Sequence, residues 1–527
     1  MACTLSTVTN RTDGFDFAEL FVVYAHLNQT CSPDSDIFFP GTKLLTEAVC
    51  REITGNSISI WSGWTPYPIS DIWTRIVTWK LPLFQLTSQF PRPPLGFNIE
   101  AATLAHLLGD PIDSMTSMLL TFAICHARAN LAKEVTLKSG IERSHPEYER
   151  TWKALAIMLI SYDECGRPEK VEGFCRNYCN LTSSQYLGAD VRNLHEETAY
   201  ALAADRSTKS LPVVFAELIF IGGWIIALVK AMSSEPNATN WVNVEAHSVA
   251  FSSMYLWVTS AVVFGCIIGT SQTEGSIPRL LQGFEYHMAD ISGYQARRPS
   301  AQEREETGWS RVGIDRALHG GLPLWRPTKW RSVPTHFEIG TSTLVCYSVI
   351  AIISVGMSFL TAAILSYMVA PRGPSCRHVP ESLMFVFWLL SFVVECVLER
   401  WLKSQSWIFW SVFSKDVFFA LSNIAIVLIT QWGIMNRCSC WSMWGMTGLN
   451  LPQLPDVKPG LMYFIRHEAP WIVFTAIIFQ LAFCAVVAWH YWDAVRVFIQ
   501  RDDGASNASW RKKKRMTKVI SHEEGDD

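Results

Sequence analysis

Six apolar stretches, residues 211–229, 247–269, 341–368, 383–396, 408–430 and 471–489, constrain this chain more than anything else in it. A helix needs about 20 residues to cross the hydrocarbon of a bilayer, and all but the fourth stretch approach or exceed that length. The fourth is short and is expected to run on through Glu399. In lipid every backbone N–H and C=O must be paired within the protein, so long apolar runs of this kind dictate helices. The expected fold class is all-α, a polytopic transmembrane helical bundle. With 49% of 527 residues hydrophobic and 17% charged, the chain is too apolar for an ordinary soluble enzyme of several domains.

Charge orients the bundle. The 270–340 loop carries Arg279, Arg297, Arg298, Arg304, Arg311, Arg316, Arg326, Lys329 and Arg331, which the positive-inside rule places in the cytosol. The run Arg128, Lys133, Lys138, Arg143, Arg150 and Lys153 reads the same way. So does the tail at 511–515, basic enough to touch anionic lipid. The segment holding the sequon at Asn237 has no Lys or Arg beyond Lys230 and is expected outside. Residues 1–96 form a Trp/Pro-rich region with sequons at Asn10 and Asn28 and with Cys3, Cys31 and Cys50, features of a non-cytosolic glycoprotein segment. Its Trp61, Trp64, Trp73 and Trp79 suit a headgroup belt or a small cap. Glu19 interrupts the one early apolar patch and no basic region precedes it, so no cleaved signal peptide is expected.

The resulting division is 1–96; 97–210, a first crossing followed by a cytosolic helical region; 211–490, the six-helix core; and 491–527, the tail. About seven spans result, with the N-terminus out and the C-terminus cytosolic, in the endoplasmic reticulum or another endomembrane. Within 97–210 the apolar run 154–160 is too short to span and is expected to be a core helix or a re-entrant piece.

The first crossing, PRPPLGFNIEAATLAHLLGDPIDSMTSMLLTFAICHAR over 91–128, carries His106, Asp110 and Asp113. In a continuous helix these fall at i, i+4 and i+7 on one face. Pro111 removes a backbone N–H between the acids and is expected to kink or break the helix there. An ionisable residue in a membrane costs about 2.5 to 3.5 kcal/mol on insertion scales, so such residues usually face a cavity or a partner and mark function. The alternative is a helix lying against the spans with GDPID as an exposed turn.

Other acids lie in or beside spans: Glu217, Glu395, Asp416, and Glu399 and Asp493, for which interfacial ion pairs with Arg400 and Arg496 are expected. A carboxyl desolvated as Glu217 is, among Phe215, Leu218, Ile219 and Phe220, is a proton donor or a hydrogen-bond partner of a neighbouring helix. The 22 Trp residues can form interfacial belts or, inside a pocket, stabilise a developing cation. Fourteen Cys without a zinc-like or C-x-x-C spacing give no metal site. Nucleotide-binding loops, H-E-x-x-H and G-x-S-x-G are all missing, no cofactor is expected, and a net charge of −3 gives no argument for nucleic acid. The single D-x-x-D is too little to hold magnesium against a diphosphate.

The PRPPLGF…HLLGDPID stretch, the count of spans, the abundant Trp and the basic tail resemble fungal integral-membrane terpene cyclases of meroterpenoid pathways, of the ascofuranone and macrophorin type. The resemblance implies a small lipophilic substrate with a farnesyl chain, often epoxidised, on an aromatic or quinoid head, cyclised by protonation without loss of diphosphate. Pathway enzymes on the same membrane would be its natural partners. It names no catalytic residue. The residues themselves point to Asp110 and Asp113 as a proton-sharing pair reloaded by His106 from the aqueous side, with Glu217 as the rival donor. A seven-span receptor-like protein and a transporter or channel are the alternatives, and the lack of an internal repeat weighs against the transporter.

Overall fold

The computed structural model describes residues 31–32, 69–90, 97–164, 170–183, 187–207, 210–233, 244–271, 276–291, 341–368, 378–402, 405–432 and 463–499. The described residues are almost wholly helical. A helix over 69–88, α1, joins Ile69–Arg75 and Leu81–Ser88 through a π-helical turn, Ile76–Lys80. There follow α2 (Phe97–Gly109), α3 (Pro111–Lys138), α4 (Tyr148–Glu164), α5 (Lys170–Thr182) and α6 (Gly188–Asp205). Next come α7 (Ser210–Ser233), α8 (Val244–Ser253), α9 (Trp257–Ile268) and α10 (Ser276–Ile291). The last are α11 (Thr341–Met368), α12 (His378–Trp401), α13 (Gln405–Gln431), α14 (Ala469–His490) and α15 (Trp492–Ile499).

Among the described residues six helical segments are long and apolar enough to cross a membrane: Leu211–Ser233, Ser248–Ile268, Ser342–Met368, His378–Leu398, Trp410–Gln431 and Phe464–His490. They coincide with the six stretches read from the sequence, and the fourth does run on past Cys396. Leu218, Ile353, Leu390, Phe418, Ile478 and Val486 on these helices are exposed, as lipid-facing side chains must be. The second span is the exception, mostly buried inside the protein, and it breaks at Met254–Leu256 between α8 and α9. Polar groups tie it to its neighbours. Gln480 on α14 accepts from Ser260 on α9 and donates 3.0 Å to the Ser354 carbonyl on α11, because an amide in lipid must find its partners on other helices.

The expected first crossing takes a different form. It is too polar to count among the apolar spans, and α3 runs through the protein interior, packed by α4, α9, α11 and α15. Nearly the whole of α3 from Pro111 to Cys125 is buried, Ser114, Thr116, Ser117 and Thr121 included. Protein, and not lipid, surrounds it, so its hydroxyls can bond back to the chain, as Thr116 does to Ile112 and Thr121 to Ser117, both at 2.8 Å.

The described parts of the segments predicted to be cytosolic share one face. A short antiparallel ladder pairs Arg206 with Ser271 and Ser207 with Thr270, joining the start of α7 to the end of α9. Lys133 on α3 pairs with Asp493 on α15 at 2.7 Å, and Arg496 with Glu149 on α4 at 2.9 Å, so Asp493 and Arg496 do not pair with each other as expected. Lys170 reaches Glu285, and Arg128 on α3 forms a buried bidentate pair with Asp163 on α4 at 2.6 and 2.7 Å. The run 154–160 is a buried part of α4, a core helix in this layer. We call this the clamp face. The side chains of Glu399 and Arg400, the sequons at Asn10, Asn28 and Asn237, Trp61 and Trp64, the 292–340 loop and the 511–515 tail lie outside the described residues.

Candidate functional site

The helix breaks where Pro111 predicts. Asp110 leaves the helical region at φ −135°, ψ 71°, because the ring of a following proline disfavours α geometry. It becomes the N-cap of α3, accepting 3.0 Å from the Asp113 N–H, while Pro111 occupies the first-turn position where its missing N–H costs nothing. Gly109 is dictated by packing: a Cβ there would overlap the Asp416 carbonyl on α13, so only glycine seats α2 against that helix. His106, Asp110 and Asp113 thus lie on two helices and not on one continuous face. They still converge, and the turn is buried: Asp110 is 0% and Asp113 3% exposed, which overturns the exposed-turn alternative.

The convergence draws in residues from α12 and α13. His106 Nδ1 lies 2.9 Å from Asp416 Oδ2 and its Nε2 3.3 Å from Asp113 Oδ2. Each ring nitrogen therefore faces a carboxyl oxygen. A neutral imidazole has a single N–H, so this arrangement needs a second proton, on the ring or on an acid. Beside it the Lys415 ammonium donates to Asp110 Oδ2 at 2.7 Å, Glu395 Oε2 at 2.8 Å and Ser391 Oγ at 3.1 Å, and lies 2.9 Å from Asp416 Oδ1. Ser391 Oγ donates to Asp110 Oδ2 at 3.0 Å, and Ser117 to Asp113. The result is one connected chain: Asp113, His106, Asp416, Lys415, then Asp110 and Glu395.

Four carboxyls meet two basic groups in a buried site. Full ionisation would leave an excess of negative charge that desolvation makes costly, so the balance is met by further protons or by a cation. Glu395 Oε1 is buried without a hydrogen-bond partner among the described residues. His106, Glu395 and Asp416 offer ligand atoms within 4.8 Å of one another, close enough to hold a small cation, although Lys415 already brings an ammonium to both acids. The expectation of no metal rested on cysteine spacing, the missing H-E-x-x-H and the single D-x-x-D, local patterns that cannot see a carboxylate and histidine set drawn from three helices.

Trp388 precedes Ser391 by one helical turn and Glu395 by two, on the same side of α12. It is fully buried, edge-on to Trp257 at 6.1 Å and to Tyr255 at 6.2 Å between ring centroids. An aromatic wall therefore adjoins the acid cluster. Both indole N–H groups are buried without a partner among the described residues.

The sequence-predicted residues divide. His106, Asp110 and Asp113 come together, but the two aspartates do not pair with each other: Asp110 is committed to Lys415, Ser391 and the helix cap, and Asp113 to His106. His106 is 1% exposed and sits between Asp113 and Asp416. Glu217 lies apart, on α7, accepting 3.1 Å from Thr259 on α9. Lys415 and Ser391 were missed. A lysine within FWSVFSKDVFFALSN was a legible signal, an intramembrane cation beside an aspartate. Comparison with protein families, with curated proteins and with solved structures finds no match for this chain.

Proposed function

We propose that this chain is a membrane-embedded cyclase that starts its reaction by protonating a prenylated, lipophilic substrate, an isomerisation without loss of diphosphate. One observation carries the reading: a buried network with more carboxyls than cations, one of whose acids, Glu395, has a free oxygen two turns from a wall of Trp388, Trp257 and Tyr255. In the proposed step the Glu395 O–H bond breaks as the proton passes to an epoxide oxygen or alkene carbon of the substrate. The resulting cation is stabilised by indole faces until it loses a proton elsewhere. Lys415 and the His106 chain then return a proton to Glu395. This moves the donor from the Asp110 and Asp113 pair to Glu395, because both aspartates have partners that hold them in structural roles.

The protein is multi-pass, and we place it in an endomembrane with the clamp face cytosolic. The basic residues gathered on that face support this orientation, as does Cys31, which is disulfide-bonded in the N-terminal region predicted to lie outside.

The test is expression in microbial membranes supplied with a farnesylated phenol and its terminal epoxide. A product of unchanged mass and new ring content is expected from the parent chain and none from Glu395→Gln inserted at normal level. Full cyclisation by the Glu395→Gln variant, or none by the parent, would refute the assignment. A second reading, a proton-coupled transporter, is favoured by the closure of Lys415 among three carboxylates, an arrangement suited to exchanging protons across a membrane. Acidification-driven uptake by reconstituted liposomes, abolished in Lys415→Met, would favour it over the cyclase.

A further inference from the structure

The helix α1 was assigned from sequence to a region outside the membrane, and its surface is the wrong way round for that. Ile69, Trp73, Val77, Leu81 and Phe84 recur every three or four residues, and all are exposed, from 47% at Val77 to 85% at Ile69. The opposite side turns its charge inward: Arg75 is 3% and Lys80 6% exposed, beside buried Leu83 and Leu86. A helix in water shows its charges and hides such a stripe. One in lipid does the reverse.

Length and packing agree. The 20 residues of α1 reach about 30 Å, the thickness of the hydrocarbon. The helix lies along α7, itself a span with Leu211, Phe215, Leu218 and Ile226 exposed on its outer side, so the two stripes belong to one apolar surface. The backbones approach so closely that a Cβ on Gly223 would overlap the Thr78 carbonyl, the tight approach by which membrane helices associate. Gly223 is 13 residues from the clamp-face end of α7, and Thr78 is 10 residues from Ser88. The Leu81–Ser88 part also packs against α9, which ends at the clamp face. Hence α1 runs antiparallel to α7, with its C-terminal end toward the clamp face.

We infer that α1 is a transmembrane helix whose exposed stripe is covered by lipid acyl chains, so that Ile69 and Ser88 lie on opposite sides of the membrane. Arg75 and Lys80, which lower its hydropathy, are charges that face the protein. Because α3 also ends on the clamp face, α2 and α3 together make no net crossing: they enter and leave on that side, with the Gly109–Asp110 break inside. The total remains seven, with α1 in place of the acidic segment.

Single cysteines in the full-length chain test this. In sealed vesicles, a membrane-impermeant maleimide added to one side or the other, with peptide-level mass spectrometry to separate native cysteines, reads each site. Ile69→Cys should be labelled from one side only and Ser88→Cys from the other, with Val77→Cys and Leu81→Cys labelled from neither. Labelling of Ile69→Cys and Ser88→Cys from the same side, or of Val77→Cys from either, would overturn the crossing.

Discussion

Single atoms decide the geometry around Asp110. Gly109 carries no side chain because the Asp416 carbonyl occupies the space a Cβ would fill, and both atoms belong to backbones locked in helices. Gly109→Ala should therefore cost about 1–3 kcal/mol of stability, the usual penalty of overpacking, and should misplace the His106–Asp416 contact. Gly173, on the exposed side of α5 with nothing within 4 Å of its Cβ position, is the control. Gly173→Ala should gain up to about 1 kcal/mol, as alanine does over glycine in a helix. Thermal unfolding of both variants in the same detergent reads the contrast, and equal shifts would remove the steric argument. The break at Pro111 could be read from the sequence because proline chemistry is local. The partners of Asp110 could not, because Ser391 and Lys415 come from distant helices whose side-by-side placement no spacing rule encodes.

At the scale of elements, the spans were legible almost to the residue, since apolar length is a local property: 211–229 became Leu211–Ser233 and 471–489 the body of Phe464–His490. What misled was the direction in which polar groups face. Both α1 and α3 are charged or hydroxyl-rich, and hydropathy averages over faces that the fold separates. In the clamp layer α6 is fastened by His195, which is caged by Phe174, Tyr178 and Phe284 and has Nδ1 2.7 Å from the Val191 carbonyl. Burial, which penalises the charged ring, pulls its pKa down to about 4 from an ordinary value of 6.5. The neutral ring's contribution is intact above pH 6.5. It is lost as acid protonates the unfolded chain between 6.5 and 4, by at most about 3 kcal/mol. Melting temperature should thus fall across that window, and His195→Phe should flatten the fall. An unchanged slope in the variant would show that other groups govern it.

For the molecule as a whole, the buried ionic network ties together parts of the chain made at very different times. Lys415 lies 305 residues after Asp110. At about 5–20 residues per second, a ribosome takes roughly 15 to 60 s to cover that distance. Throughout this interval α2 and the acid-bearing start of α3 have emerged, but α13, against which α2 packs and which carries Lys415 and Asp416, does not yet exist. The acid-bearing turn must wait until α12 and α13 arrive, so it is seated late although it is among the first parts of the bundle to be synthesised. A chain truncated at residue 400 should accordingly leave α2, whose packing partner α13 is then missing, open to protease from the clamp side where the full-length protein resists it. Equal resistance would mean that the earlier helices alone are enough to shelter it.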